Sequence, residues 1–287
     1  MKFQYNTRDY QEKAIQSVIR LFEGQPTADQ KLDISYSSDI MMDYGNQLLL
    51  NNDRLEKNLQ NVQGNNHRDE APIKITEELN RLDYSIEMET GTGKTFVYLK
   101  TIVELAKTYG WKKYIIVVPS VAIREGVKSE FNRLKPYLEA ESKLPILLTN
   151  YTSKNINDLE TYYRSNMVEI MLMTMQSFNS DSNVLNKENY DLEVEKPIHL
   201  IQQLNPIVIL DEPQKMEGDA TQNKLKEFHP LFMLRYSATH KDLANSIYRY
   251  TPIDAYQDRY VKKIEVLSIY GNEFKDVQAF VEVDEID

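Results

Sequence analysis

A short glycine loop between a predicted strand and a predicted helix constrains the fold of this chain more than any other feature. Residues 84–88 have the length and composition of a short strand, and residues 89–95 read Glu-Thr-Gly-Thr-Gly-Lys-Thr. An apolar periodicity typical of a helix then runs through residues 95–109 and stops at Gly110. Glycines allow backbone N–H groups to turn toward phosphate oxygens, and the helix N-terminus adds its positive dipole end. The segment therefore predicts a phosphate-binding loop.

The side chains of this loop indicate a nucleoside triphosphate and a magnesium ion as ligands. Lys94 would reach the β- and γ-phosphates, and the Thr95 hydroxyl would ligate Mg²⁺. The alternative is a tight turn with a solvated lysine, which the preceding strand and the following helix disfavour. The residues predicted to hold the nucleotide in this loop are Thr90, Gly91, Thr92, Gly93, Lys94 and Thr95.

Alternating strand and helix patterns continue along the chain and predict an α/β fold. A helix is predicted over residues 121–134, ending before Pro136. The predicted strands after the loop are mostly continuous apolar runs, which are typical of a buried parallel sheet. They cover residues 114–118, 146–148, 168–174, 207–210 and 231–236.

The first 80 residues have a different character. Residues 7–24 have helical apolar spacing, and Gly24 supplies a stop. Asparagine is frequent over residues 25–80 and the periodicity weakens, so turns and short local structure are predicted there as an insertion. The polar, acidic residues 181–196 predict a surface excursion between two strands.

A second candidate site element follows the apolar strand at residues 207–210. Asp211 and Glu212 stand directly at its end. In a phosphate-loop site, Asp211 would hold Mg²⁺ and Glu212 would orient and deprotonate the attacking water. By themselves, two acidic residues after a strand are more typical of a turn. Their combination with the loop at residues 89–95 favours a catalytic pair instead.

Composition excludes several classes of function. The chain has no cysteine, which excludes disulfides, thiol nucleophiles and cysteine-bound zinc, and its four histidines lack metal-ligand spacing. No apolar run approaches the roughly 18 residues of a membrane span, so a cytoplasmic protein is expected. The net charge is −10, with 34 basic and 44 acidic residues. A nucleic acid would therefore have to bind in a local or shared groove.

In these motifs the chain resembles the superfamily 2 helicases and translocases, and within them the Res subunits of type III restriction enzymes. Asp-Glu-Pro-Gln at residues 211–214 resembles the acidic box of Res subunits, and Ser-Ala-Thr at residues 237–239 resembles the third motif. Tyr10-Gln11 is similar to the adenine-reading glutamine motif. Met88 stands where the strict loop pattern has glycine, and the first motif of this family is usually the shorter Gly-x-Gly-Lys-Thr.

The resemblance implies a RecA-like phosphate-loop domain with a mainly parallel central sheet flanked by helices, and only the first of two motor domains. It implies ATP and Mg²⁺ as cofactors, Gln11 as the reader of the adenine edge, and Lys94, Asp211 and Glu212 as the catalytic set. Coupling between hydrolysis and nucleic-acid binding would use Gln214, Ser237 and Thr239. The residues implied in nucleic-acid contact are Pro119, Ser120, Arg124, Thr174, Gln176 and Ser177.

The same resemblance implies the organisation and partners of the protein. The expected parts are an N-terminal helix over 1–24, the insertion over 25–80, the motor domain over 81–260 and an exit segment over 261–287. A second RecA-like domain that supplies arginines and a nuclease domain would lie outside this chain, which by itself would hydrolyse ATP poorly. Double-stranded DNA and a methyltransferase (Mod) subunit are the implied partners.

Three other functions remain open at this stage. The first is another superfamily 2 motor, such as an RNA helicase or a type I restriction motor, and Pro213-Gln214 argues against it. The second is a phosphate-loop ATPase or kinase outside the helicases, which would leave the Ser-Ala-Thr and Tyr-Gln motifs unexplained. The third is a non-catalytic scaffold domain that binds nucleotide.

Overall fold

The computed structural model describes residues 5–30, 45–66, 82–151, 157–178, 185, 196–216, 218–239 and 245–260. Within these ranges, seven strands form one sheet in the order β3-β4-β2-β5-β6-β1-β7, and every pairing between neighbours is parallel. The strands are β1 (Asp83–Met88), β2 (Lys113–Val118), β3 (Ile146–Asn150), β4 (Val168–Thr174), β5 (Ile207–Asp211), β6 (Phe232–Ser237) and β7 (Ser246–Tyr250).

Helices cover both faces of this sheet. They are α1 (Asp9–Leu21), α2 (Asn52–Asn66), α3 (Lys94–Tyr109), α4 (Val121–Ser142), α5 (Asn157–Arg164), α6 (Pro197–Gln203), α7 (Asp219–Lys226) and α8 (Pro252–Gln257). Short 3-10 turns follow β4 at Met175–Ser177 and β5 at Pro213–Lys215. The arrangement confirms the predicted α/β class with a parallel central sheet flanked by helices.

The apolar strands are buried on both sides because their residues point alternately to two cores. In β2, Ile116 and Val118 belong to the core that includes residues of α1, α2, α3 and α4. Ile115 and Val117 belong to the other core, which includes residues of α5, α6 and α7. A continuous apolar run, as the sequence has here, is what a strand with two buried faces requires.

The parallel sheet also decides where the predicted site residues lie. All described strands run in one direction, so their carboxyl ends meet at the same edge. The loops after β1, β5 and β6 begin at neighbouring strands, and so do those after β2 and β4. Candidate residues that are far apart in the sequence therefore share one edge of the sheet.

Helix α4 is longer than the sequence predicts. It runs to Ser142 with Pro136 inside it, so the prediction that the helix ends before this proline is wrong. Leu134 and Leu138, on either side of the proline, are both buried in the core. Packing of the turn beyond the proline offsets the backbone hydrogen bond that is lost there. The helix instead ends where Lys143 adopts a left-handed conformation, with φ of 60°.

Part of the asparagine-rich segment is also helical, which the sequence analysis did not predict. Leu55, Leu59 and Val62 of α2 are buried against the core. The amide of Asn58 donates to the backbone oxygens of Leu21 and Glu23, both at 2.9 Å. The prediction of turns and short local structure is therefore wrong for Asn52–Asn66, because these amides bind the backbone of other elements.

Strand β7 is a further element that the sequence analysis missed. It pairs with β1 at the edge of the sheet, and its backbone oxygens at Ser246 and Ile247 accept hydrogen bonds from Gln63 and Asn66 of α2. The described α8 follows at once. The predicted exit segment, residues 261–287, lies outside the described residues, and none of the described helices is long and apolar enough to span a membrane.

The buried amide of Asn58 gives a test of the role of α2. Asn58→Ala should lower the free energy of unfolding by about 1–3 kcal/mol, because two carbonyls at the end of α1 lose their buried donor. The matched control is Asn61→Ala, at an exposed position of the same helix, which should change it by less than about 0.5 kcal/mol. Urea unfolding measures both, and equal effects of the two substitutions would contradict the assigned role of Asn58.

Candidate functional site

The loop after β1 has the backbone shape of a phosphate cradle. Gly91 and Gly93 have backbone φ angles of 80° and 86°, which residues other than glycine rarely adopt. The Thr92 hydroxyl donates to the Glu89 oxygen at 2.5 Å and closes the turn. A Cβ at Gly91 would meet nothing within 4 Å, whereas one at Gly93 would lie 2.8 Å from the Gln11 amide nitrogen. The loop is thus open on one side and closed against α1 on the other.

Two side chains of α1 hold this loop at a single carbonyl. The Gln11 amide nitrogen donates to the Thr92 oxygen at 3.0 Å, and the Tyr10 hydroxyl donates to the same oxygen at 2.9 Å. The Gln11 oxygen accepts from the Arg8 backbone N–H at 3.0 Å. The Tyr10 ring also stacks on Tyr250 of β7 with ring centroids 4.2 Å apart. The structure therefore places Gln11, the predicted reader of adenine, beside the loop.

Lys94 and the acidic end of β5 form an ion pair. The ammonium of Lys94, at the start of α3, lies 3.1 Å from a carboxylate oxygen of Glu212. It also lies 3.5 Å from the Met88 backbone oxygen. Because β6 separates β1 from β5 in the sheet, this ion pair joins two elements that are not adjacent strands. Glu212 has a left-handed backbone, with φ of 58°, immediately before Pro213.

The two carboxyl groups at the end of β5 have opposite electrostatic environments. Burial, together with the nearby Glu212 charge, raises the pKa of Asp211 from 3.8 to about 6. Burial also acts to raise the pKa of Glu212, but the attraction and hydrogen bond of Lys94 outweigh it, so the pKa of Glu212 is lowered. Lys94 thus favours the charged form of Glu212, but at Asp211 its attraction only partly offsets the effect of burial. A divalent cation beside Asp211 would stabilise its charged form.

A buried tyrosine connects Asp211 with the phosphate loop. The Tyr98 hydroxyl donates to a carboxylate oxygen of Asp211 at 3.3 Å, and the Thr95 side chain lies close enough to the same hydroxyl to act on its pKa. Burial, followed by the Asp211 charge, raises the pKa of Tyr98 well above its usual value, so this hydroxyl remains a donor. Both side chains predicted to bind Mg²⁺, Thr95 and Asp211, therefore lie near this one hydroxyl group.

A chain of hydrogen bonds runs from the ion pair to the end of β6. The Gln214 amide nitrogen donates to Glu212, and the Ser237 hydroxyl donates to the Gln214 amide oxygen at 2.8 Å. The Thr239 backbone N–H then donates to the Ser237 hydroxyl at 3.0 Å. The structure thus brings together the three residues predicted for coupling and connects them to Glu212.

The residues predicted to contact nucleic acid form a separate group on the same edge. They follow β2 and β4, whose last residues Val118 and Thr174 are paired in the sheet. Ser120 caps α4 by accepting the Ile123 N–H at 3.4 Å, and the Ser177 hydroxyl donates to the Thr174 oxygen at 2.6 Å.

The members of this group differ in how far they are accessible. Gln176 is exposed, and Pro119 and Ser120 are partly so. Arg124 is partly exposed and forms an ion pair with Glu125 at 2.9 Å. Thr174 is buried, and its backbone oxygen accepts the Ser177 hydroxyl.

With this geometry established, the comparisons with known proteins identify the family. Residues 4–242 match the model for "Type III restriction enzyme, res subunit", which is more than half of the chain. The chain belongs to this family. Res-family relatives include the EcoP15I Res subunit of Escherichia coli, which is 28% identical over 239 residues, and the EcoPI Res subunit of Escherichia phage P1, which is 27% identical over 277 residues. The predicted resemblance to Res subunits is confirmed.

The coverage of these relatives is unequal. The matches include 76% and 89% of this chain but 24% and 28% of the two Res subunits, so the chain spans about a quarter of their length. Among solved structures, a nuclease-deletion mutant of the type ISP restriction-modification enzyme LlaGI, in complex with a DNA substrate mimic, is 13% identical. That likeness covers 89% of this chain and 21% of the other, with a TM-score of 0.46.

Sequence reasoning missed the tyrosines of this Res-family site. The sequence motifs include Tyr10 only as part of the glutamine motif and do not include Tyr98. The available signal for Tyr98 was its position, three residues after Thr95 and four after Lys94, which places it on the same face of α3. Its partner Asp211 is distant in the sequence, so only the fold reveals the contact.

The raised pKa of Asp211 predicts a dependence of stability on pH. A carboxyl group whose pKa is higher in the folded protein stabilises the fold while it is protonated, and that contribution is lost as the pH rises from about 4 through about 6. The side chain introduced by Asp211→Asn carries no charge, and its amide oxygen can still accept the hydrogen bond from the Tyr98 hydroxyl. In metal-free buffer at pH 7.5 the variant should be more stable than the wild type by about 1–3 kcal/mol.

The pH dependence separates this effect from a general change in packing. At pH 5 the wild-type carboxyl group is mostly protonated, so the advantage of Asp211→Asn should shrink by about 1 kcal/mol in urea unfolding with EDTA. Asp29→Asn, at an exposed position, serves as the control and should have little effect at either pH. A variant that is less stable than the wild type at both pH values would refute the prediction.

Proposed function

We propose that this chain is the ATP-binding half of the motor of a type III restriction enzyme, a DNA-dependent ATPase that couples hydrolysis to movement on DNA. The observation that carries the proposal is the Lys94–Glu212 ion pair, because it joins the phosphate loop to the acidic box. The hydrogen bonds from Glu212 through Gln214 to Ser237 support a role in coupling. Family membership supports the same reaction class.

The residues around the loop fit ATP with Mg²⁺. Gly91 leaves open space beside the loop, and Lys94 stands at the N-terminus of α3, where phosphate binds favourably. Thr95 and Asp211 offer oxygen ligands, which Mg²⁺ prefers, and the carboxyl group of Asp211 is buried without full charge compensation. Bound Mg²⁺ would neutralise charge on the β- and γ-phosphates. Thr90 and Thr92 complete the loop.

Gln11 has the hydrogen-bonding capacity to read adenine. A glutamine amide carries two donor hydrogens and an oxygen with two lone pairs. Among the described residues, its bonds to Thr92 and Arg8 use one hydrogen and one lone pair, so one of each is left. Adenine presents an acceptor at N7 and a donor at N6, which match the remaining pair. We assign Gln11 this role in selecting ATP.

Glu212 is the candidate base for the attacking water. Lys94 lowers its pKa, which keeps the carboxylate charged until nucleotide binding draws the lysine toward phosphate. Arginines from a second motor domain, outside this chain, would complete the transition-state charge stabilisation, which is worth on the order of 10³–10⁵ in rate. We therefore expect the 287-residue chain by itself to bind ATP and to hydrolyse it slowly.

Double-stranded DNA is the proposed track of the motor. Hydroxyl and backbone groups after β2 and β4 would contact phosphates, which positions DNA without reading bases. The residues assigned to this contact are Pro119, Ser120, Arg124, Thr174, Gln176 and Ser177. Because the net charge is −10, we expect this chain alone to bind DNA weakly. Sequence recognition would come from a methyltransferase (Mod) subunit, and cleavage from a nuclease domain outside this chain.

Nucleotide binding is tested first by thermal shift. Mg²⁺ with ATP at about 100 times its Kd should raise the free energy of unfolding by about 2.7 kcal/mol in the wild type, and Lys94→Ala should abolish most of this gain. Lys107→Ala, at an exposed position of the same helix, is the control and should keep the full shift. Absence of a shift in the wild type at millimolar nucleotide would count against the proposed site.

The role of Gln11 is tested by comparing ATP with GTP. Gln11→Ala should reduce the preference for ATP at least about 10-fold, because the N6 and N7 groups of adenine lose their partner. Tyr10→Phe removes the other hydrogen bond to the Thr92 oxygen and serves as the control. Tyr10→Phe should weaken the binding of ATP and of GTP by the same factor. Loss of preference in both variants would mean that the position of the loop, rather than the Gln11 amide, selects the base.

A further inference from the structure

Tyr98 lies beneath the phosphate loop and takes no part in the function proposed above. Its side chain is completely buried on α3, one turn after Lys94 and Thr95. A buried hydroxyl group is costly unless it finds partners. This hydroxyl donates to Asp211, at 3.3 Å, and lies near the side chain of Thr95.

Both of these side chains are the ones assigned to Mg²⁺. The Tyr98 hydroxyl binds one carboxylate oxygen of Asp211, Oδ2, which restricts rotation of the carboxylate about its bond to Cβ. The same hydroxyl is near the side chain of Thr95, which belongs to α3 like Tyr98 itself, whereas Asp211 belongs to β5. The Tyr98 hydroxyl is therefore bonded to one of these two side chains, on β5, and adjacent to the other, on α3.

The Tyr98 ring is itself held in place. It packs edge-on against the ring of Tyr236 in β6, with centroids 5.6 Å apart and an angle of 64° between the planes. The Tyr236 backbone oxygen accepts the Glu212 N–H at 3.0 Å, and its hydroxyl lies 3.4 Å from that of Thr101. Tyr236 is as deeply buried as Tyr98, but its hydroxyl contacts α3 away from Asp211.

We propose that Tyr98 is a positioning residue for the metal site: its hydroxyl group orients Asp211 beside Thr95 so that both can bind Mg²⁺. The inference rests on the proposed function, since it concerns the metal of the same site. Groups that orient metal ligands through hydrogen bonds typically contribute about 10–100-fold to metal affinity or activity. Tyr98 would act on metal affinity and leave the phosphate and adenine contacts unchanged.

The experiment separates metal binding from nucleotide binding. Binding of Mn²⁺ to the 287-residue chain with a saturating non-hydrolysable ATP analogue is followed by electron paramagnetic resonance, for the wild type, Tyr98→Phe and Tyr236→Phe. Affinity for the analogue is also measured in EDTA. Tyr98→Phe should weaken Mn²⁺ binding about 10-fold or more and leave the affinity in EDTA unchanged.

Tyr236→Phe is the matched control, since it removes an equally buried hydroxyl from the same layer of rings. It should leave Mn²⁺ binding as in the wild type, while the stability of the two variants in EDTA records any general loss of packing. Two results would overturn the proposal: wild-type Mn²⁺ affinity in Tyr98→Phe, or an equal loss in both variants. A wild type that binds neither the analogue nor Mn²⁺ would instead refute the proposed function, and the role of Tyr98 with it.

Discussion

The buried acidic end of β5 is the constraint on which the rest of the site depends. Asp211 is almost completely buried, and Glu212 follows it directly, so two carboxyl groups lie where water can solvate only one of them well. In the part of the chain that the structure describes, Lys94 forms an ion pair with Glu212. Asp211 is left with a raised pKa, a cost in stability that a bound divalent cation would reduce.

This arrangement explains why several elements converge on the loop after β1. Lys94 must reach Glu212 across the end of β6, which requires α3 to begin directly at the loop. The loop is held in turn by Gln11 and Tyr10 of α1. A displacement of Lys94 toward phosphate would break its contact with Glu212, and the hydrogen bonds through Gln214 connect that event to Ser237 at the end of the neighbouring strand.

The sequence predicted those parts of the structure that depend on local patterns. The phosphate loop, the acids of β5 and the apolar strands are recognisable because each combines a short motif with a strand or helix next to it. The frequency of asparagine predicts turns where the structure has α2. That prediction is wrong because Asn58 favours the helix only when its amide can reach the end of α1, a contact that the local sequence does not reveal. The prediction that α4 ends before Pro136 is also wrong because of tertiary packing: the leucines on both sides of the proline are buried and stabilise the helix beyond it. The contact between Tyr98 and Asp211 had no local signal at all.

Helix α2 is polar because its side-chain amides bind the backbone of the two elements that flank it. It lies between α1 and β7, and its amides bind backbone groups that neither element satisfies by itself: Asn58 binds the end of α1, and Gln63 and Asn66 bind oxygens of β7. Tyr10, next to Gln11, stacks on Tyr250 at the other end of that strand. The position of Gln11 beside the loop thus depends on hydrogen bonds from a segment that carries none of the recognised motifs, and apolar residues in place of these amides would leave the backbone groups unpaired.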